Sequence, residues 1–169
     1  ADPKFRRVLI TDARSENAVA LAEAFAKAGA SIIFIGEPEG WRPYPHRTAL
    51  EAIPNVQIVP LDVTDTASVA ELAGEIGGKT DILVNNARFV RPGGIMDRGD
   101  TVFARDEMEV NYLGLMRLAQ SFGPAMRGRG ADGDNSAAAW VNILSVYAYS
   151  NMPAFGAFSA SNAAAYSLS

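Results

Sequence analysis

The side chains best suited to chemistry in this sequence lie at the ends of short apolar runs. Thr11, Asn85, Asn86 and Ser145 each end or directly follow such a run. Their hydroxyl and amide groups donate and accept hydrogen bonds, and they stay free to do so where the body of a strand is packed. Because the carboxyl ends of parallel strands form the edge at which ligands bind, the pattern predicts a ligand crevice there.

The composition excludes several other kinds of chemistry. The chain has no cysteine and a single histidine, His46, so disulfides and thiolate metal sites are excluded and a zinc cluster would lack ligands. We expect no metal site. The 15 basic and 19 acidic residues give a net charge of -4, which argues against nucleic acid or anionic lipid as a partner. No run approaches the roughly 20 apolar residues of a membrane span, and a cytoplasmic location is expected.

Short apolar runs alternate with helical patterns, which predicts an α/β fold of repeated βαβ units in three layers. Pro60 cannot donate a ladder hydrogen bond, so its strand is expected at a sheet edge. Strand three holds that position in the doubly wound order 3-2-1-4-5. We expect one domain, residues 1–169. The predicted strands are 8–11, 31–35, 56–61, 81–86 and 140–145; the predicted helices are 18–27, 66–76, 106–122 and one from about 154 onward; the predicted surface loop is 128–136.

Several pieces of the chain resemble the short-chain dehydrogenase/reductase family of NAD(P)-dependent oxidoreductases. The resemblance runs through all 169 positions and implies a Rossmann-type doubly wound parallel sheet. Family members continue for two more strands and two or three helices, so the chain corresponds to their N-terminal two-thirds. The pieces that carry the resemblance are Thr11 with the helix after it, Leu61-Asp62-Val63-Thr64-Asp65, Asn85-Asn86-Ala87, Asn111, and Val141-Asn142-Ile143-Leu144-Ser145 followed by Phe158-Ser159-Ala160-Ser161-Asn162.

The first turn departs from the family pattern Thr-Gly-x-x-x-Gly-x-Gly. Its glycines let backbone N–H groups and a helix N-terminus receive the dinucleotide diphosphate, and here they are Asp12, Glu16 and Ala18. A like-charge contact at about 4 Å costs on the order of 4 kcal/mol at an effective dielectric near 20, roughly a thousandfold in affinity. We therefore expect no cofactor. An alternative local role for the two acids is to stabilise the helix N-terminus, with Ser15 or Asn17 as N-cap; a helix end satisfied by its own carboxylates would not receive a phosphate either.

The family's proton-transfer positions, an Asn, a Ser, a Tyr and a Lys, fall on Asn111, Ser145, Phe158 and Asn162. The resemblance implies that the Ser positions substrate and that the Asn supports a proton-relay water. Phenylalanine has no proton to exchange and asparagine carries no charge. The four-residue spacing still places positions 158 and 162 on one helix face, so the chain keeps the geometry of the site and loses half of its chemistry.

Two tyrosines could replace the missing phenol. Tyr147 and Tyr149 lie just beyond the fifth strand, near Ser145, although no lysine follows Lys79. Tyrosines in a loop beside a pocket are more often packing residues with a solvated hydroxyl, and we expect that role for both.

The remaining cofactor positions of the family are partly kept. Thr11 and Asn86 match the family, and Asp62 and Val63 resemble the pair that lines its adenine pocket. Glu37 could accept the ribose hydroxyls, which would favour NAD over NADP if a dinucleotide bound. An adenine-sized ligand without a diphosphate is a further alternative.

Arg88 stands where the family has glycine after Asn-Asn-Ala. Strands one and four are neighbours in the predicted order, so Arg88 is expected to emerge beside Asp12 and Glu16. We predict an ion pair between Arg88 and one of these carboxylates, filling space that the dinucleotide would occupy. The alternative is an arginine that extends into solvent.

These substitutions predict a family member without redox activity, with a structural or regulatory role. Its partner would be a second copy of the chain or an active homologous domain. The alanines of the last helix would permit close helix contact in an oligomer. The competing hypotheses are an NAD(P)-dependent oxidoreductase with a displaced proton donor, or a non-redox enzyme that uses Ser145 and Asn111. The alanines are Ala157, Ala160, Ala163, Ala164 and Ala165.

Overall fold

A computed structural model describes residues 2–40, 43–130 and 138–169, in which strands and helices alternate along the chain. The strands are β1 (Arg7–Ile10), β2 (Ile32–Glu37), β3 (Val56–Pro60), β4 (Ile82–Asn85) and β5 (Ala139–Asn142). The helices are α1 (Ala18–Lys27), α2 (Arg47–Glu51), α3 (Thr66–Ile76), α4 (Val102–Met108), α5 (Gly114–Gly130) and α6 (Gly156–Leu168).

The five strands form one parallel sheet in the order β3-β2-β1-β4-β5. This order confirms the predicted doubly wound fold, with β3 at the edge that Pro60 indicated. The direction in which the chain winds reverses between β1 and β4. In such sheets the ligand crevice opens at the carboxyl ends of the strands at this reversal.

The sheet separates two hydrophobic cores because successive strand side chains point to opposite faces. Val8 and Ile10 of β1 pack in the core beneath α1 and α2. Leu9 points the other way, into a core that includes Leu118 and Phe122 of α5. The alternation of apolar runs in the sequence therefore produces three layers, with the sheet in the middle.

The helix predicted at 106–122 is longer in the structure and contains Pro124. It begins at Val102, passes through a wide π turn at Glu109–Leu113 and continues as α5 to Gly130. Proline lacks one backbone donor, but packing of residues on both sides of Pro124 into the core keeps the helix continuous: Phe122 and Met126 are both buried. The predicted loop 128–136 is therefore wrong for 128–130, and its remainder lies outside the described residues.

Two other boundaries differ from the sequence prediction. β5 ends at Asn142, opposite Asn85 of β4, so Ser145 lies in the loop beyond the strand. α6 begins at Gly156. Short 3-10 turns occur at Gly77–Lys79, Ile95–Asp97 and Val146–Ala148. None of the described helices is both long and apolar enough to cross a membrane.

Candidate functional site

Polar residues from β1 and β4 meet at the carboxyl edge of the sheet, as the sequence predicted. Thr11 is buried and its Oγ1 donates to Asn85 Oδ1 over 2.9 Å. Asn86 holds the turn after β1 on both sides: its Oδ1 accepts from the N–H of Asp12 over 2.7 Å, and its Nδ2 donates to the Asp12 carbonyl over 2.9 Å. The turn at the family's glycine positions is thus fixed by an amide from the neighbouring strand.

The Asp12 carboxylate folds back onto its own turn. Its Oδ1 accepts the N–H of Arg14 over 2.9 Å and lies 3.7 Å from Arg14 Nε. Only 13% of the Asp12 side chain is exposed, against 47% for Arg14. Burial raises the pKa of Asp12 above its ordinary value, and the contacts with Arg14 oppose that rise in part.

The predicted ion pair of Arg88 with Asp12 or Glu16 is wrong. Among the described residues, Asp12 pairs with Arg14, and no carboxylate lies within ion-pair distance of Arg88. Arg88 and Glu16 are both exposed. Arg14 lies two residues from Asp12 on the same turn, so it reaches the carboxylate without crossing the crevice. Arg88 extends into solvent, which was the alternative to the predicted ion pair.

The predicted capping of α1 by acids is also wrong. The first turn of α1 contains no acidic residue. Asn17, one of the two residues expected as N-cap, does hold the N-cap position, but its side chain makes no capping hydrogen bond. The Asn17 Oδ1 instead accepts from Ser15 Oγ over 2.9 Å and from Asn86 Nδ2 over 3.1 Å. The Asn17 side chain is therefore engaged by a neighbour in its own turn and by an amide 69 residues away, and local sequence shows only the first of these partners.

Part of this turn is already occupied by hydrogen bonds within the chain. The N–H groups of residues 12 to 15 already donate within the chain, to Asn86 Oδ1, the Gly36 carbonyl, Asp12 Oδ1 and the Asp12 carbonyl. His46 Nε2 lies 2.7 Å from the Ala13 carbonyl and covers the turn from outside. Ala18 is fully buried in the core. The Asp12 carboxylate would also repel a phosphate.

The crevice beside this turn narrows to a cavity of about 70 Å³. Leu61, Asp62 and Val63 line it, as the adenine resemblance implied, together with Arg88. The Asp62 Oδ1 accepts from both the N–H and the hydroxyl of Thr64, so this carboxylate already stabilises its own turn.

Glu37, the candidate ribose acceptor, is likewise engaged. Its Oε2 accepts from Tyr44 Oη over 2.7 Å and from Arg47 Nε over 2.9 Å. Burial would raise the pKa of Glu37, but these two hydrogen bonds outweigh it and hold the pKa below the ordinary value. Burial and the bond to Glu37 raise the pKa of Tyr44.

The residues at the family's tyrosine and lysine positions are both buried in α6. Phe158 is 4% exposed and its ring meets Tyr147 edge-on, with the centroids 6.4 Å apart. Asn162 is also 4% exposed. Its Oδ1 accepts the N–H of Ser145 over 2.9 Å, and its Nδ2 donates to the Phe158 carbonyl over 3.1 Å. Asn162 therefore fastens the loop after β5 to α6.

Asn111 and Ser145, the two family positions that keep their residue types, also form hydrogen bonds with backbone groups. Asn111, in the π turn, accepts the N–H of Phe89 over 2.9 Å and donates to the Phe89 carbonyl over 2.8 Å and to Ser161 Oγ over 2.9 Å. Ser145 Oγ accepts the N–H of Tyr147 over 3.2 Å. Both side chains fix the paths of neighbouring loops.

Tyr147 and Tyr149, the two candidate tyrosines, have different surroundings. Tyr147 stacks on Phe155, with ring centroids 5.6 Å apart, and contacts Phe158. Tyr149 is 72% exposed and packs on Tyr166, with centroids 4.5 Å apart. Only Tyr147 lies next to the ring at the family's tyrosine position.

Sequence reasoning missed two polar residues that organise this region. Ser161 is fully buried and donates to the Phe158 carbonyl over 2.8 Å while it accepts from Asn111. Glu107 is 1% exposed and accepts the N–H of Arg91 over 2.9 Å. Glu107 lies four residues before Asn111, on the same helix face, and this spacing was the available signal. No group of three or more His, Asp or Glu among the described residues could hold a metal ion.

A parallel sheet wound in this order, with a polar crevice where the winding reverses, defines an α/β protein with a Rossmann-type fold. The family profile described as short chain dehydrogenase matches residues 6–169. The chain belongs to the short-chain dehydrogenase/reductase family.

Several relatives carry oxidoreductase names. The chain is 30% identical to the uncharacterized oxidoreductase Mb1570 of Mycobacterium bovis, covering 98% of this chain and 49% of the relative. It is 34% identical to the short-chain dehydrogenase ptmH of Penicillium ochrochloron, covering 97% and 58%. The chain thus spans about half the length of these relatives.

Solved structures agree with the fold. A short chain dehydrogenase from Burkholderia cenocepacia in complex with NADP superposes with a TM-score of 0.84 at 28% identity, covering 99% of this chain and 65% of that one. A short-chain dehydrogenase from Streptomyces avermitilis superposes with a TM-score of 0.80 at 30% identity, covering 97% and 59%.

Proposed function

We propose that this chain is a family member that does not transfer hydride and that has a structural or regulatory role, as one partner in a homo-oligomer or beside an active homologous domain. One observation carries the proposal. The side chain at the family's lysine position, Asn162, is a buried neutral amide with both polar atoms bonded to backbone, at Ser145 and Phe158.

The proton-transfer chemistry depends on groups that can gain, lose or stabilise a proton. Phe158 has none, and Asn162 carries no charge that could lower the pKa of a neighbouring phenol. Their contacts also differ from those of a reacting group, since both side chains are enclosed in the packing between α6 and the loop after β5. This arrangement supports a stabilising role for both positions.

The same proposal includes the expectation that the chain does not bind a dinucleotide. The Asp12 carboxylate and the bonded N–H groups of its turn oppose a diphosphate. The relative from Burkholderia cenocepacia is in complex with NADP, so the family's usual cofactor is the comparison against which this proposal is tested.

The proposed oligomer would use α6. Ala160 and Ala163 are exposed on this helix, and small side chains let a second helix approach closely, since interaxial distance depends on the side chains at the contact. The number of chains in such an oligomer would follow from sedimentation or light scattering of the intact protein.

Fluorescence titration with NADH and NADPH tests the proposal. We expect no saturable binding in the micromolar range for the natural chain. The matched control is the triple variant Asp12→Gly, Glu16→Gly, Ala18→Gly, which restores the family's turn and should gain affinity for at least one dinucleotide. Tight binding by the natural chain would overturn the proposal.

A second candidate is an NAD(P)-dependent oxidoreductase with Tyr147 as a displaced proton donor. The edge-on contact of Tyr147 with Phe158 favours it, as do the names of the relatives. It predicts consumption of NADPH with a panel of small ketones and aldehydes, and loss of that activity in Tyr147→Phe. A non-redox reaction through Ser145 and Asn111 has less support, since both side chains are bonded to backbone.

A further inference from the structure

A second cavity lies outside the crevice, between the segment 91–98, the start of α4 and the first turn of α6. It measures about 80 Å³ and shares no lining residue with the crevice cavity. Its charged lining residues are of both signs: Arg91, Arg98, Asp100 and Glu107. Of the two carboxylates, that of Asp100 is exposed, and its Oδ1 accepts the N–H of Val102 over 2.9 Å.

Glu107 brings a carboxylate to this cavity from the buried face of α4. The residue is 1% exposed. One oxygen, Oε1, accepts the N–H of Arg91, and no described residue donates to the other oxygen or forms an ion pair with this carboxylate. Burial, aided by the charge of Asp106, raises the pKa of Glu107, while the Arg91 N–H and the charge of Arg98 oppose the rise. The carboxylate as a whole is nearly buried, and its free oxygen can be reached by a donor from the cavity that Glu107 lines.

Two arginines also line the cavity, and the guanidinium groups of both lie over the ring of Phe103. The Arg91 Cζ lies 4.1 Å and the Arg98 Cζ 4.5 Å from the ring centroid. Arg98 Nη2 donates to the carbonyls of Arg91 and Pro92. Within the part of the chain that the structure describes, no carboxylate lies within ion-pair distance of either guanidinium. Their remaining N–H groups are thus available to an anionic group.

We propose that this cavity binds a small zwitterion of the amino-acid class, with its carboxylate toward Arg91 and Arg98 and its ammonium toward Glu107. A ligand with only a negative charge would stand beside the Glu107 carboxylate, and one with only a positive charge would stand beside two guanidiniums. A zwitterion satisfies both sides, because charge-assisted hydrogen bonds form at each end.

The size of the cavity sets the size of the ligand. One water needs about 10 to 15 Å³ of such volume, so the cavity holds roughly five to eight water-sized groups. That matches glycine or alanine and excludes a nucleotide. Ligands of so few atoms bind weakly, and we expect dissociation constants in the millimolar range or somewhat below.

Titration of the intact, isotope-labelled protein with glycine, followed by amide chemical shifts, tests the proposal. Acetate and methylammonium serve as probes that carry one of the two charges. We expect saturable shifts for glycine near Arg91 and Glu107, and no saturation with either single-charge probe at the same concentrations. Glu107→Gln keeps the shape of the side chain and should weaken glycine binding about tenfold or more, as loss of a charge-assisted bond implies.

Two further variants keep the test decisive. Arg91→Gln removes an exposed guanidinium and should also weaken glycine binding. This variant tests the proposal if circular dichroism shows that Glu107→Gln does not fold. Arg88→Gln is the matched control, since this exposed arginine lines the crevice cavity, and it should leave binding unchanged. No saturation by glycine up to about 100 mM, an equal response to acetate or methylammonium, or unchanged binding in Arg91→Gln would overturn the proposal.

Discussion

Replacement of Asn162 should destabilise the fold, because its side chain joins the loop after β5 to α6 through two hydrogen bonds. In Asn162→Ala the N–H of Ser145 loses its acceptor, and an unpaired donor of this kind costs about 1 to 3 kcal/mol. The second lost bond contributes less, because the Phe158 carbonyl still accepts from Ser161 Oγ at 2.8 Å. We expect a total loss of about 2 to 3 kcal/mol, which for a chain of this size lowers the Tm by roughly 5 to 10 °C.

The assay is thermal and urea unfolding of the intact protein, followed by circular dichroism. Asn162→Leu separates hydrogen bonding from packing, since it keeps a similar volume and removes both bonds; it should be destabilised about as much as Asn162→Ala. Ala163→Ser, at the exposed neighbouring position, should change stability by about 0.5 kcal/mol or less. An Asn162→Leu variant as stable as the natural chain would refute the role assigned to this amide.

Three other expectations follow from the same structure. Gly36→Ala should be destabilised by about 1 to 3 kcal/mol in urea unfolding, because its new Cβ would lie 2.5 Å from the Thr11 carbonyl; unchanged stability would contradict this. Burial would raise the pKa of Asp81, but hydrogen bonds from Arg7 and Arg129 hold that pKa below its ordinary value. The charged Asp81 therefore stabilises the fold fully above the unfolded pKa of about 3.9, and this stabilisation is lost as the pH falls through the folded pKa. Asp81→Asn should therefore lower the Tm most at neutral pH and least in acid. Asp12 has a raised folded pKa, so its ionisation opposes folding increasingly as the pH rises from the unfolded pKa of about 3.9 to the folded pKa, and the cost is complete above the folded pKa; Asp12→Asn should raise the Tm at pH 7, and the gain should shrink towards pH 4. A pH-independent difference would contradict either acid prediction.

Much of the fold could be predicted from local pattern. Apolar runs and helical periods repeat along the chain, and each reports which face of an element is buried. Pro60 marked an edge strand because its missing donor is a property of the residue itself. The path through Pro124 could not be predicted in this way, since the helix is held there by core packing of Phe122 and Met126.

Some chemical limits of the site are also fixed by residue type. Phe158 cannot give a proton and Asn162 cannot carry a charge, whatever surrounds them. The carboxylate of Asp12 likewise brings negative charge to the first turn in any conformation of its side chain. The resemblance to short-chain dehydrogenases placed these positions, and their chemistry then followed from the residues.

The partners of those residues were decided by tertiary structure. Asp12 pairs with Arg14 and not with Arg88, and the amide that holds its turn, Asn86, lies 74 residues away in the chain. The only sequence signal for Glu107 was its position four residues before Asn111. Its burial depends on the packing of α4 against the segment 91–98. Residue identity sets what a side chain can donate, accept or ionise; which group it meets depends on contacts between elements distant in sequence, and local patterns carry no information about those contacts.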